Sequence, residues 1–267
     1  LNYIRREFKR NGLPQELGFI AFVESFLKTG ARSHRGAVGL WQFMSYTAKN
    51  HGLKVDWWID ERLSVEKSTQ AAIDYMNKLY SYLGDWQLVI MAYNYGEYGL
   101  KKKVRRYGYE RAYKKLPGET KEFLPRIKAL IQLFHDMDMD TNYNENIVEF
   151  CVKGHWDMKK LAEEANVSYT VLKKLNRDYK SGYLLGKENR IFVPQCYVKN
   201  LSKLKPDKTN FSDVVVVRIQ SGQTLYEISR KFNIGHKKLM KINNIGNARR
   251  IRPGKKIYIP LCRTSLM

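Results

Sequence analysis

Glu24 sits in the segment Ala21-Phe22-Val23-Glu24-Ser25, ahead of Gly36-Ala37-Val38-Gly39-Leu40-Trp41-Gln42-Phe43 and, further on, Ala92-Tyr93-Asn94-Tyr95-Gly96. A carboxylic acid, a glycine-hinged Trp-Gln turn and a Tyr-Asn-x-Gly turn are parts from which a site could hold a sugar and protonate its glycosidic oxygen. Glu24 also has a plainer reading. On a helical wheel Phe19, Ile20, Phe22, Val23, Phe26 and Leu27 share one broad arc, which is expected in the core. Glu24 falls on the narrower side with Leu17, Gly18, Ala21, Ser25 and Lys28, where an i,i+4 pair with Lys28 would leave it a solvated surface acid. Periodicity alone does not choose between the two.

The elements that would carry these residues change character along the chain. Residues 1 to about 140 read as helical. One segment runs from Pro14, in its first turn, through Leu27. Further helices are expected near 41–51, 66–82, 85–93, 97–106 and 121–135, with loop markers at Gly30, Gly36, Gly39, Gly52, Gly84, Gly96, Gly108 and Pro117-Gly118. After Asp140 the texture shifts to short β-like runs, Ile147–Val152 and Val214–Ile219, each preceded by a polar joint. These two C-terminal pieces are internal repeats. Asp157–Ser168 lies over Thr224–Gly235 without a gap, Leu172–Asn176 over Leu239–Asn243, and Ile191–Pro194 over Ile257–Pro260 after one inserted residue. Each repeat reads strand, helix, helix, strand over roughly fifty residues, which marks a module. In the second, Leu225, Ile228, Phe232, Ile234, Leu239 and Ile242 would close two helices onto two strands.

Size and charge bound the partners. At 267 residues the chain suits a main domain plus one or two small ones. No apolar stretch approaches the length of a membrane span. The start, Leu1-Asn2-Tyr3, lacks an initiator Met and a basic-then-apolar leader, so it reads as a processed or trimmed end that leaves export open. A net charge of +22, from 48 basic and 26 acidic residues, favours a polyanionic partner: nucleic acid, anionic membrane or an acidic wall polymer. The basic residues come in scattered pairs and triplets such as Lys101-Lys102-Lys103 and Arg105-Arg106, without a zinc or basic-zipper pattern. Three cysteines give no metal spacing; Cys151 and Cys196 could bridge in an exported protein, leaving Cys262 free.

The second repeat resembles the LysM module. The residues that carry the resemblance are Gln220-Ser221-Gly222-Gln223-Thr224-Leu225, Ile228-Ser229-Arg230-Lys231-Phe232, Asn243-Asn244 and Ile251-Arg252-Pro253-Gly254-Lys255 before Ile257-Tyr258-Ile259-Pro260. That resemblance implies binding of N-acetylglucosamine-containing glycans in a groove between the loop after the first strand and the loop after the second helix. On this chain the groove falls at Gly222, Gln223, Thr224 and Leu225, opposite Asn244, Ile245 and Gly246. The alternative is that Gly222 and Pro253-Gly254 only turn the chain and Asn243 only caps a helix. The first repeat departs from the pattern, with Lys153-Gly154-His155-Trp156 and Ser181-Gly182-Tyr183-Leu184-Leu185-Gly186 in the corresponding places. It resembles a degenerate LysM module.

The N-terminal motifs, in their order, are similar to the lysozyme-like domain of lytic transglycosylases. They are Glu24-Ser25, Ala31-Arg32-Ser33, Gly36–Phe43, Thr47-Ala48, Asp60-Glu61-Arg62, Ser68-Thr69, Ala71-Ala72, Asp85-Trp86, Ala92–Gly96, Leu116–Thr120 and Phe123-Leu124-Pro125. With LysM repeats behind it, the chain resembles membrane-bound lytic murein transglycosylases. The resemblance implies non-hydrolytic cleavage of the MurNAc–GlcNAc β-1,4 bond of peptidoglycan, with Glu24 as the single acid/base and no metal or cofactor. It implies substrate contacts from Ser33, Gly39, Leu40, Gln42, Tyr93, Asn94 and Glu119. Asp56, Asp60, Glu61, Asp85 and Glu97 do not match a second catalytic acid. Two departures stand out: Phe26 where the family often has Gly, and Phe123 where a Tyr is common.

The expected architecture is therefore multidomain α+β: an all-α lysozyme-like catalytic domain (1–140), a degenerate LysM-like β-α-α-β module (141–205) and a LysM glycan-binding module (206–267). The partner expected is peptidoglycan rather than nucleic acid, in the periplasm or at the envelope, with membrane association only through a removed or lipidated leader. The alternatives are a hydrolytic muramidase, a non-catalytic wall-binding protein and a basic nucleic-acid binder.

Overall fold

The computed structural model describes residues 1–134, 147–204 and 213–261. The chain divides into two units, Leu1–Val55 with Glu61–Tyr143, and Asp56–Asp60 with Asn144–Met267. Among the described residues no helix is long and apolar enough to cross a membrane.

The first unit is helical: α1 (Asn2–Arg10), α2 (Phe19–Ser25), α3 (Ser45–Asn50), α4 (Val65–Leu83), α5 (Trp86–Tyr95), α6 (Glu97–Lys114) and α7 (Gly118–Leu133). In α4, Ser68, Ala72, Met76 and Leu79 recur at helical spacing and are buried. Ser64 caps that helix by accepting from the Lys67 N–H, and Gly84 ends it in the left-handed region. Asp85 does the same for α5, accepting from Leu88 N at 2.8 Å. Most of α5 is apolar, and Val89, Ile90, Met91 and Ala92 are buried in a core shared with Ile20, Ala21 and Ile127. Pro125 interrupts α7 and supplies no N–H to the carbonyl of Lys121. Tyr113 Oη donates to that carbonyl at 3.0 Å instead, so the helix continues.

The helix expected from Pro14 to Leu27 is broken at both ends. It begins as a 3₁₀ turn over Gln15–Gly18 and finishes at Ser25, because Phe26 and Leu27 have φ of 50° and 58°. Phe26 is consequently not core: 70% of it is exposed. The left-handed C-cap is where glycine would be free of the Cβ strain that Phe26 carries. Residues 41–44, expected in a helix, form a turn in which Val38 bridges both Arg32 and Phe43. Gly108, with φ 71°, kinks α6 without ending it.

The second unit contains two β-α-α-β modules. In the first, β1 (Ile147–Lys153) pairs antiparallel with β4 (Glu188–Pro194), β2 (Trp156–Asp157) pairs with β3 (Tyr183–Leu184), and α8 (Met158–Glu164) and α9 (Tyr169–Leu175) lie between. A short helix α10 (Val198–Ser202) follows. In the second, β5 (Asp213–Arg218) pairs antiparallel with β6 (Lys256–Leu261) around α11 (Leu225–Lys231) and α12 (His236–Ile242). The repeat is visible atom by atom. Asn176 Nδ2 donates to Leu172 O and Phe192 O, and its Oδ1 accepts from Phe192 N. Asn243 makes the same three bonds with Leu239 O, Tyr258 O and Tyr258 N. Each asparagine ties the end of the second helix to the last strand, so both backbone and side chain are satisfied where the chain turns. Asn166 and Asn233 end the first helix of each module in the left-handed region. Cys151 and Cys196 are free and exposed, so the suggested bridge is not formed; Cys262 lies outside the described residues.

Candidate active site

Glu24 occupies the last turn of α2 and is half-buried. The ion pair with Lys28 is not made, since the backbone leaves the helix at Phe26 and the two residues never share a helical face. Burial, reinforced by the negative charge of Glu119, pushes the Glu24 carboxyl from its ordinary value near 4.5 up to about 7. A carboxylic acid so placed keeps its proton to well above the ordinary carboxylate range and can donate it to a leaving oxygen. Glu119, exposed in the first turn of α7, is thus the carboxylate whose field reaches Glu24.

The Ser25 hydroxyl, buried directly after the acid, donates within hydrogen-bond reach of Ala21 O at 3.0 Å and Leu40 O at 2.9 Å. It ties the end of α2 to the Gly39–Phe43 turn. Gly39 has φ 86°, and a Cβ there would stand 1.9 Å from the Arg62 carbonyl oxygen, so only glycine fits. Arg62 is buried and Nη1 donates to Gly36 O and Phe43 O, pinning the same turn. Trp41 is buried, stacks on Phe8 at 5.5 Å and donates from Nε1 to Thr69 Oγ1.

Across from this turn, the Tyr93 hydroxyl donates to Trp41 O at 2.7 Å. Burial, then the charge of Glu24, hold its pKa well above the usual tyrosine range, so it stays a donor. Phe43, Tyr75 and Tyr93 form a ring cluster with centroids 5.6–6.3 Å apart. Asn94 Oδ1 accepts from Thr120 Oγ1 at 2.7 Å, joining the end of α5 to α7.

Several expected contacts take a different form. Leu40 is buried, and what it presents to Ser25 is its carbonyl. Gln42 has φ 46° and uses Nε2 to donate to Gly39 O at 2.7 Å, so its amide N–H is partly spent inside the turn. Ser33 Oγ accepts from Ala37 N at 3.0 Å and closes an exposed loop. Phe123, which stands where a Tyr is common in the family it resembles, is buried in the core. Ser25, Arg62, Thr69 and Thr120 were not singled out from sequence, although all four stand in the quoted motifs; only the fold shows what their polar atoms reach.

Of the other acids, Glu61 is buried against Lys67 at 3.1 Å and Asp85 caps α5. Among the described residues no group of His, Cys, Asp and Glu could hold a metal ion.

In the second module Gly222 has φ 78° and is exposed. Thr224 and Glu227 form a reciprocal capping box at the start of α11. Gln223 Oε1 accepts from Gln220 N, Leu225 and Ile245 are core, and Asn244 is exposed with φ 50°. Gly222 and Gly246 have open space where a Cβ would project.

The site on the helical unit is thus a half-buried acid with raised pKa, at a helix end, beside a glycine turn and a tyrosine wall. Residues 2–116 match the family model for the Transglycosylase SLT domain, and residues 217–260 match that for the LysM domain. The chain carries both domains. It is similar to the membrane-bound lytic murein transglycosylase D of Escherichia coli (strain K12), 28% identical over 96% of this chain and 62% of that protein. The protein of the same name from Escherichia coli O6:H1 (strain CFT073) gives the same figures. The chain thus spans less than two thirds of the length of these relatives.

Proposed function

We propose that this protein is a peptidoglycan lytic transglycosylase. It cleaves the MurNAc–GlcNAc β-1,4 bond without water and leaves a 1,6-anhydro-MurNAc end. The observation that carries the reading is a half-buried Glu24, its carboxyl pushed up to about 7 by burial, inside an SLT domain. Glu24 protonates the glycosidic oxygen as the C1–O4 bond breaks. Its carboxylate then removes the proton of the muramoyl 6-hydroxyl as O6 bonds to C1. The proton balance closes on one carboxyl group, and no cofactor or metal is needed. Tyr93, fixed as a donor, and the Gly39–Gln42 turn shape the wall behind the acid. Ser33, Asn94 and Glu119 complete the substrate-facing set.

The C-terminal module supplies attachment to the glycan through Gly222–Leu225 and Asn244–Gly246. Exposed backbone and small side chains there suit an acetamido sugar, which offers amide donors and acceptors with an apolar methyl. The positive charge suits an anionic wall, and α6 presents a depression of about 490 Å³ lined by Tyr98, Lys101, Lys102, Arg105 and Arg106. An envelope location follows from this substrate and from the similarity to the E. coli proteins. The test is release of soluble muropeptides from purified peptidoglycan. Wild type should release them and Glu24→Gln should not; substantial release by Glu24→Gln would refute the assignment.

A further inference from the structure

We propose that the groove of the first β-α-α-β module is an interaction surface for the chain's own segment Asp56–Asp60, and that it takes no glycan. Of the two modules described, this leaves the second as the one with a LysM-type glycan site. The inference rests on the reading above that the C-terminal groove binds N-acetylglucosamine polymers.

The two modules share a backbone plan but treat the corresponding loops in opposite ways. In the second, the loop after the first strand and the loop after the second helix meet only at their base, where Ile219 N donates to Lys255 O at 2.9 Å and Gly254 N to Ile219 O at 2.7 Å, while Ser221, Gly222, Thr224, Asn244 and Gly246 at the tips are exposed. In the first, those loops are zipped together. Trp156 pairs with Leu184 and Asp157 with Tyr183, while Met158 N donates to Gly182 O at 2.9 Å and Gly154 N to Lys187 O at 2.7 Å. A sugar needs such backbone groups free, and here they are spent on each other. The glycines report the same contrast. A Cβ at Gly186 would stand 2.6 Å from Glu188 O and 3.4 Å from the Trp58 ring; at Gly182 it would stand 3.6 Å from Lys173 Nζ and 3.7 Å from the Tyr169 hydroxyl.

Asp56–Asp60 seats on this closed loop as an extra edge. Trp58 Nε1 donates to Tyr183 O at 2.7 Å, Lys180 N donates to Trp58 O at 3.1 Å and Asp60 N to Asp178 O at 2.9 Å. Ile59 bridges Tyr179 and is buried in the module's core, with Trp58 packed against it. Asp56 Oδ1 accepts from Trp58 N and Ile59 N, which preshapes the segment as a tight turn. The neighbouring Trp57 stacks on Tyr258 of β6 with ring centroids 3.4 Å apart and planes 9° apart. Trp58 and the main chain of this tight turn thus occupy, with main-chain bonds and apolar area, the place a glycan would need on the first module.

Hydrogen exchange of the full chain, read by mass spectrometry with and without N-acetylglucosamine tetramer, tests this. Without ligand, the amides of Asp60, Lys180 and Met158 should exchange slowly. Added tetramer should protect peptides covering 220–226 and 243–247 and leave those covering 153–158 and 177–187 unchanged. Trp58→Ala should speed exchange at Asp60 and Lys180 by about tenfold or more. Fast exchange at those amides in the wild type, or ligand protection of the first module's loops, would overturn the proposal. The wild-type arms do not depend on how the variant folds. Absence of protection at 220–226 would instead count against glycan binding by the C-terminal module, so the two failures are separable.

Discussion

Replacing Glu24 by Gln should abolish muropeptide release and, at the same time, stabilise the helical unit in a pH-dependent way. Moving the carboxyl from 4.5 to about 7 corresponds to about 3 kcal/mol between its two protonation states. The folded state holds the proton more tightly than the unfolded chain, so ionising Glu24 costs stability. The cost is absent below the unfolded value near 4.5, grows as pH rises from there to about 7, and is full above that. Glutamine of the same shape is neutral at every pH and escapes it. Because Glu24 is only half-buried, solvent screening should cut the gain to about 1–2 kcal/mol. For a unit of this size that is a rise of about 3–6 °C in melting temperature. Calorimetry of wild type and Glu24→Gln at pH 4 and pH 8 is the assay. A gain at pH 8 that vanishes at pH 4 is expected. An equal difference at both pH values, or a variant less stable at pH 8, would refute a carboxyl kept protonated by its surroundings. In the wild type, kcat/KM should fall as pH rises through about 7, as the acid is lost.

Three further substitutions probe the frame. Gly39→Ala forces a Cβ against the Arg62 carbonyl at a left-handed backbone, and should cost about 3 kcal/mol or more in urea unfolding, with activity falling alongside. Phe26→Gly removes the left-handed strain at an exposed position and should raise stability by about 0.5–1 kcal/mol; a clear loss would mean the Phe22–Phe26 ring contact at 5.6 Å outweighs that strain. Asn243→Ala breaks three bonds joining α12 to β6 and should destabilise the C-terminal module by about 2–4 kcal/mol, seen as faster amide exchange in 214–219 and 256–261.

Sequence periodicity located what depends on local spacing. The helical segments near 66–82 and 85–93, seen as α4 and α5, and the two strand-helix-helix-strand repeats follow from short-range rules of periodicity and propensity. The failures share one cause, which is tertiary demand. Phe26 and Leu27 continue the apolar arc of α2 on a wheel, yet the chain must turn toward the Gly39 loop, and Ser25 is bonded to Leu40 O just where it does so. α1 was not delimited from sequence because most of its residues are polar, with only Ile4 and Phe8 buried. Glu24 was singled out as the candidate acid through its ordered motifs. Its electrostatics were not, because Glu119 lies far away in sequence and meets it only in the fold. Likewise Trp57-Trp58 reads as an apolar pair in a loop, and nothing local says that Trp58 bonds Tyr183.

The central claim is that one carboxyl group, acting without water, cuts the glycan. Mass analysis of the products from intact peptidoglycan tests it most directly. Fragments ending in the anhydro form, one water lighter than their hydrolytic counterparts, and absent with Glu24→Gln, are the predicted result. Reducing ends of full mass would contradict the account and make the enzyme a muramidase.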